Sequence, residues 1–182
     1  MRTFVGIELP DKMKRNLLAL QSQLKQHGVH GSWKSAENFH ITLEFLGDLE
    51  PDAVPMITDT LSKVARNQKP FSLTIGGLGA FPSFKRPHTL WAAVGDGSNE
   101  LCSLREKIHR SLTRSGLVLE KRNFVAHVTL SSRPKLDNKD LTFFMNKEIG
   151  RLDVEDVVLF ESRIIEGKRM YPVLFKAPFG AE

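Results

Sequence analysis

At 182 residues, 41% of them hydrophobic and 26% charged, the chain is long enough to bury a sizeable core and is neither disordered nor fibrous in composition. The balance of 26 Lys and Arg against 21 Asp and Glu gives a formal charge of +5, a mild basic bias compatible with a polyanionic ligand. A single cysteine, Cys102, excludes an internal disulfide and a thiolate zinc cluster. No apolar run approaches a membrane span, and Glu8 and Pro10 interrupt the opening where a signal peptide would continue. A soluble, cytoplasmic protein is expected.

In chain order, residues 2–9 read as a strand carrying Phe4, Val5, Ile7 and Leu9. Pro10-Asp11 opens a helix, with Asp11 placed to cap its free amides and Met13, Leu17, Leu20 and Leu24 at helical spacing. Lys12, Lys14 and Arg15 form its solvated face, and His27-Gly28 stops it. A short piece around Trp33-Lys34 leads into a strand that starts near His40 and ends at Gly47. A second helix starts at Pro51-Asp52 with Val54, Ile57, Leu61 and Val64 inward. The next strand covers residues 71–75, with an extension toward Leu78. Gly76, Gly77 and Gly79 mark a bulge or a close backbone approach there.

Residues 81–87 form a loop, and residues 88–94 return as a strand. A third helix carries Leu101, Leu104, Ile108 and Leu112 and stops at Ser115-Gly116. Another strand spans residues 124–131, and a weaker helical segment spans 138–147. Two strands, 154–164 and 170–175, close the chain as a hairpin through Glu166-Gly167-Lys168. Short strand-to-strand links favour antiparallel pairing, and no linker separates independent domains. The expectation is one α+β domain over residues 1–182. It comprises two pseudo-symmetric lobes, each an antiparallel sheet with helices outside, facing across a central groove.

One tetrapeptide occurs twice: His40-Ile41-Thr42-Leu43 and His127-Val128-Thr129-Leu130. Successive strand side chains point to opposite faces, so each histidine shares a face with its threonine while the aliphatic pair points into the core. Continuing the alternation puts Phe45 and Ala126 on the buried side. A lone His-x-Thr is a weak signal, and a lone strand histidine is more often a surface residue than a catalyst. Two copies, each with aliphatic residues in both remaining slots, are harder to assign to chance.

Two imidazoles titrating near neutrality can act together as proton donor and acceptor, without a metal, as opening a phosphodiester requires. Threonine hydroxyls can donate to non-bridging phosphate oxygens. No paired carboxylates, nucleophile elbow or phosphate-binding Gly-rich loop appears, which argues against glycosidase, serine-hydrolase and NTP-driven chemistry.

With these residues the chain resembles the two-histidine phosphoesterases. Within them it is similar to the RNA 2',3'-cyclic phosphodiesterases, also called 2'-5' RNA ligases. The likeness spans nearly the whole length, through Arg2 to Pro10, Trp33 to Gly47, Gly79 to Val94 and the second motif. The resemblance implies metal-independent hydrolysis of a terminal 2',3'-cyclic phosphate on RNA to a 2'-phosphate, without a cofactor. It assigns His40 as general acid, His127 as general base, and Thr42 and Thr129 as phosphate ligands. The acid and base labels can be exchanged on strand geometry alone. The partner is an RNA or nucleotide bearing that cyclic end, and a monomer is expected.

Relatives often carry an arginine five residues after the second histidine, where this chain has Ser132. Arg133 would share the His127 face on an unbroken strand and is the candidate replacement; a solvated loop arginine is the competing reading. Phe84 and Arg86, and more remotely Trp33 and Lys34, are candidate RNA or nucleotide contacts. Phe81, Trp91 and Cys102 read as packing, and His27, His30, His88 and His109 as surface residues. Two alternatives stand beside the phosphodiesterase: an RNA- or nucleotide-binding module with little turnover, and 2'-5' ligation as the physiological direction.

Overall fold

The computed structural model describes residues 1–180. Its first half contains β1 (Arg2–Glu8), α1 (Asp11–Gln26), β2 (His30–Trp33), β3 (His40–Asp48), α2 (Val54–Arg66), β4 (Phe71–Phe81) and β5 (Thr89–Val94). The second half contains α3 (Ser98–Arg114), β6 (His127–Lys135), α4 (Thr142–Met145), β7 (Glu148–Val154), β8 (Asp156–Glu161), β9 (Arg163–Ile165), β10 (Lys168–Met170) and β11 (Val173–Pro178).

Two antiparallel sheets form the lobes, one ordered β11-β8-β1-β3 and the other β2-β6-β5-β4-β7. The first motif lies on edge strand β3, and the second on β6 inside the five-stranded sheet. Helices α2 and α3 back the first sheet, α2 against β8 and β11 and α3 against β3. Helix α1 backs the second sheet, packing on β7. Its buried Gln21 donates to the carbonyls of Lys34 and Leu130, both at 3.0 Å. The aliphatic stripes of all three helices are buried with Ile41, Leu43, Val128 and Leu130 in one continuous core. Helices therefore cover one face of each sheet, and the motif histidines stand on the other.

The lobes are not the two halves of the chain. Strands near both ends build the first sheet, while β2 and the middle of the chain build the second. Helix α3 lies between two strands of the second sheet in sequence, yet it backs the first. Such exchange buries each apolar stripe against the sheet that it can reach, and no local pattern announces it.

Several expected elements shift. Asp11 makes no capping bond; Pro10 holds the cap position, and Asp11 is an acidic residue in the first helical turn, where it favours the helix dipole. The expected helix over 138–147 shrinks to α4, and β7 follows it as an unforeseen edge strand on β4. Only Leu152 and Val154 of β7 are buried, so its alternation is faint. The predicted strand 154–164 divides among β7, β8 and β9. The final hairpin joins β9 to β10 through Glu166 and Gly167, both with positive φ, while β11 pairs with β8.

Candidate active site

Both motif strands leave strict alternation at the same place. In the β1–β3 ladder Gly6 faces Thr42 and Val5 faces Glu44, so Leu43 is an extra residue; Leu46 is a second one. In the β5–β6 ladder Trp91 faces Thr129 and Leu90 faces Ser131, leaving Leu130 extra. Each bulge advances the side-chain phase by one residue. Consequently the residue five beyond each histidine, Phe45 or Ser132, turns onto the groove face with the His-x-Thr pair.

This overturns two expectations. Phe45 is 52% exposed instead of buried, and Glu44 takes the inward position. Arg133 falls out of phase with His127: it is exposed, has a φ of 50°, and lies outside the groove lining.

The groove has a volume of about 820 Å³ and is lined by both histidines and both threonines. His40 Nδ1 lies 2.8 Å from the Asn38 carbonyl oxygen, and His127 Nδ1 lies 2.7 Å from that of Val125. A carbonyl only accepts, so each ring carries its proton on Nδ1 when neutral and presents a lone pair at Nε2. At His40 that nitrogen is 2.9 Å from Thr42 Oγ1, which donates to it. The same arrangement of an upstream carbonyl and an oriented ring is thus built twice.

Aromatic side chains brace each imidazole. His40 stands 4.8 Å from Phe4 and 4.8 Å from Tyr171, ring centre to ring centre. His127 meets the edge of Phe81 at 4.9 Å and lies 5.5 Å from Trp91. Burial among these groups lowers the His40 pKa from 6.5 to about 4, against a raising contribution from the Asn38 hydrogen bond. The charge of Lys34, and that of His127 when it is protonated, lower it further. Burial lowers His127 as well, opposed by its bond to Val125.

Of the more remote candidates, Lys34 lines the groove, whereas Trp33 does not; its ring packs on the core beneath the Lys25 ammonium. Phe84 and Arg86 are exposed on the loop between β4 and β5, outside the lining. Phe81 and Trp91, expected as packing, lie directly against His127. His109 is not a surface histidine: it sits half-buried with Nδ1 3.0 Å from Glu44 Oε1, and Arg105 pairs with the other oxygen of that carboxylate at 3.1 Å.

Arg2, Arg122, Arg169 and Tyr171 also line the groove and escaped sequence reading. The shared offset of five that turns Phe45 and Ser132 into the groove comes from bulges set by the neighbouring strands, which no local pattern marks. Nothing local marks Arg169 or Tyr171, which reach the site through the distant pairing of β8 with β1.

The chain is similar to known proteins over most of its length. The LigT-like phosphoesterase pattern matches residues 7–91, a span that includes His40 but stops before His127. A protein of Aquifex aeolicus named RNA 2',3'-cyclic phosphodiesterase is 31% identical, over 96% of this chain and 95% of that protein. One of the same name from Aeropyrum pernix is 31% identical, over 90% of this chain and 95% of its own length. A crystal structure of a Thermus thermophilus protein superposes with a TM-score of 0.81 at 21% identity, covering all of both chains, and shares the fold. On these grounds the chain belongs to the LigT-like phosphoesterases, the family of the RNA 2',3'-cyclic phosphodiesterases.

Proposed function

We propose that the chain hydrolyses the terminal 2',3'-cyclic phosphate of RNA to a 2'-phosphate, by paired-imidazole acid–base catalysis and without a metal. The observation that carries this reading is the duplicated site: two imidazoles with Nε2 lone pairs, and both motif threonines, lining one groove. Relatives matched over nearly their whole length bear the name of that activity.

In this scheme His127 Nε2 takes a proton from water as the water oxygen bonds to phosphorus. The bond from phosphorus to the 3' oxygen breaks, and His40 supplies the proton that this oxygen gains. The bond to the 2' oxygen persists, giving a 2'-phosphate. Thr42, Thr129 and Ser132 donate to the non-bridging oxygens, and Lys34 contributes positive charge. Arg133 has no role in this scheme, because the β6 bulge turns it out of the groove. In the ligating direction the same groups run in reverse, with acid and base exchanged.

The test is turnover of an oligoribonucleotide with a 2',3'-cyclic phosphate end, in EDTA. His40→Ala and His127→Ala should each lower kcat by about 10²–10⁴-fold with the circular dichroism spectrum unchanged. Binding without turnover by the wild type would instead identify a binding module. A 3'-phosphate product would mean that the other ester bond breaks.

A further inference from the structure

We propose that Phe45 and Arg122 form a stacking subsite for the nucleotide preceding the one that carries the cyclic phosphate. The groove then favours an RNA end over a cyclic mononucleotide. This proposal rests on the phosphodiesterase reading above and names its substrate class.

Phe45 is the anomaly that leads there. A phenylalanine on a strand packed into the core would ordinarily be buried, yet the β3 bulge at Leu43 turns it outward and leaves it 52% exposed. Bulges beside functional sites often re-aim a side chain in this way. The ring does not point into empty solvent; it forms part of the groove wall. Phe4 lies 4.8 Å from His40 and 6.1 Å from Phe45, so an aromatic row runs from the catalytic imidazole to Phe45.

The Arg122 guanidinium sits at the far end of that row, its central carbon 5.5 Å from the Phe45 ring centre. Glu120 steadies it, accepting from Nε at 2.6 Å and pairing with Nη2. On the same groove wall Val118 is 98% exposed and Val125 45% exposed. An exposed aromatic, a flat cation and apolar neighbours are the groups on which a nucleobase stacks without sequence preference. The Arg122 charge would also face the phosphate joining that base to the terminal nucleotide. The groove volume, about 820 Å³, lies toward the large end for small-molecule sites and leaves room for a second nucleotide.

The experiment compares kcat/KM for adenosine 2',3'-cyclic phosphate with that for a tri-adenylate ending in the same group. Wild type should prefer the trinucleotide. Phe45→Ala should reduce that preference by about 5- to 150-fold, the worth of one stacked base, and Phe45→Trp should retain it. Arg122→Ala should reduce it in the same direction. Equal losses on both substrates would make the pair a structural clamp and overturn the subsite, as would no loss at all.

Should wild type turn over neither substrate, the phosphodiesterase reading fails by itself. The subsite is then judged by equilibrium binding of a tri-adenylate ending in a 2'-phosphate against adenosine 2'-phosphate. A trinucleotide preference that Phe45→Ala removes sustains it, and equal affinities overturn it.

Discussion

A neutral imidazole has no proton at Nε2 to give when Nδ1 holds the only one, and both rings of this groove are built that way. Backbone carbonyls fix the proton at Nδ1 of His40 and His127, and burial pushes both pKa values down, that of His40 to about 4. Near pH 7 the empty groove therefore holds two bases and no acid. A phosphate anion supplies what is missing, because a negative charge beside an imidazole favours its protonated form. His127 and Lys34, which depress His40 in the free protein, would then share that anion with it. Binding of inorganic sulfate, a phosphate mimic that carries no proton of its own near pH 6.5, should thus draw a proton from solution. Titration calorimetry in buffers of different ionisation enthalpy reads this directly as a dependence of the observed heat on the buffer. Buffer-independent heats would mean that the anion does not load the acid.

At the scale of the element, the site depends on where strands depart from regularity. Gly79 on β4 shows how tight the packing is: a Cβ built there would collide with the Trp91 ring, which also lies 5.5 Å from the His127 ring. Gly79→Ala should force that ring aside, lowering stability by about 1–3 kcal/mol and kcat along with it. A melting temperature that falls while kcat stays constant would show that Trp91 does not brace the imidazole. The His-x-Thr repeat, the three long helices and the strand alternation up to Leu43 and Leu130 were legible, because periodicity and motif are local properties. The outward turn of Phe45 and the loss of Arg133 were not. Each depends on a bulge that exists only in the ladder with a neighbouring strand, β1 for one and β5 for the other. Strand β7 hid for a related reason, since an edge strand with two buried residues scarcely alternates. The exchange of helices between sheets lies further still from any window of sequence.

For the whole molecule, holding two histidines neutral in the groove has a consequence in acid. In the unfolded chain His40 titrates near 6.5, and in the folded chain near 4. Between those values the unfolded state binds a proton that the native state refuses, so stability rises with pH across the window. It is complete above pH 6.5 and is lost as pH falls toward 4, by at most about 3 kcal/mol from His40. His127, lowered in the same direction, adds to the loss. The melting temperature should therefore drop on acidification from pH 7 to pH 4.5, and His40→Gln should flatten the drop by removing the larger titration. Inorganic phosphate should flatten it too, because the anion stabilises the charged rings that the free groove disfavours. If His40→Gln and wild type lost stability in parallel through this window, the low pKa of His40 would not be a property of the folded protein, and the need for the substrate to charge the acid would go with it.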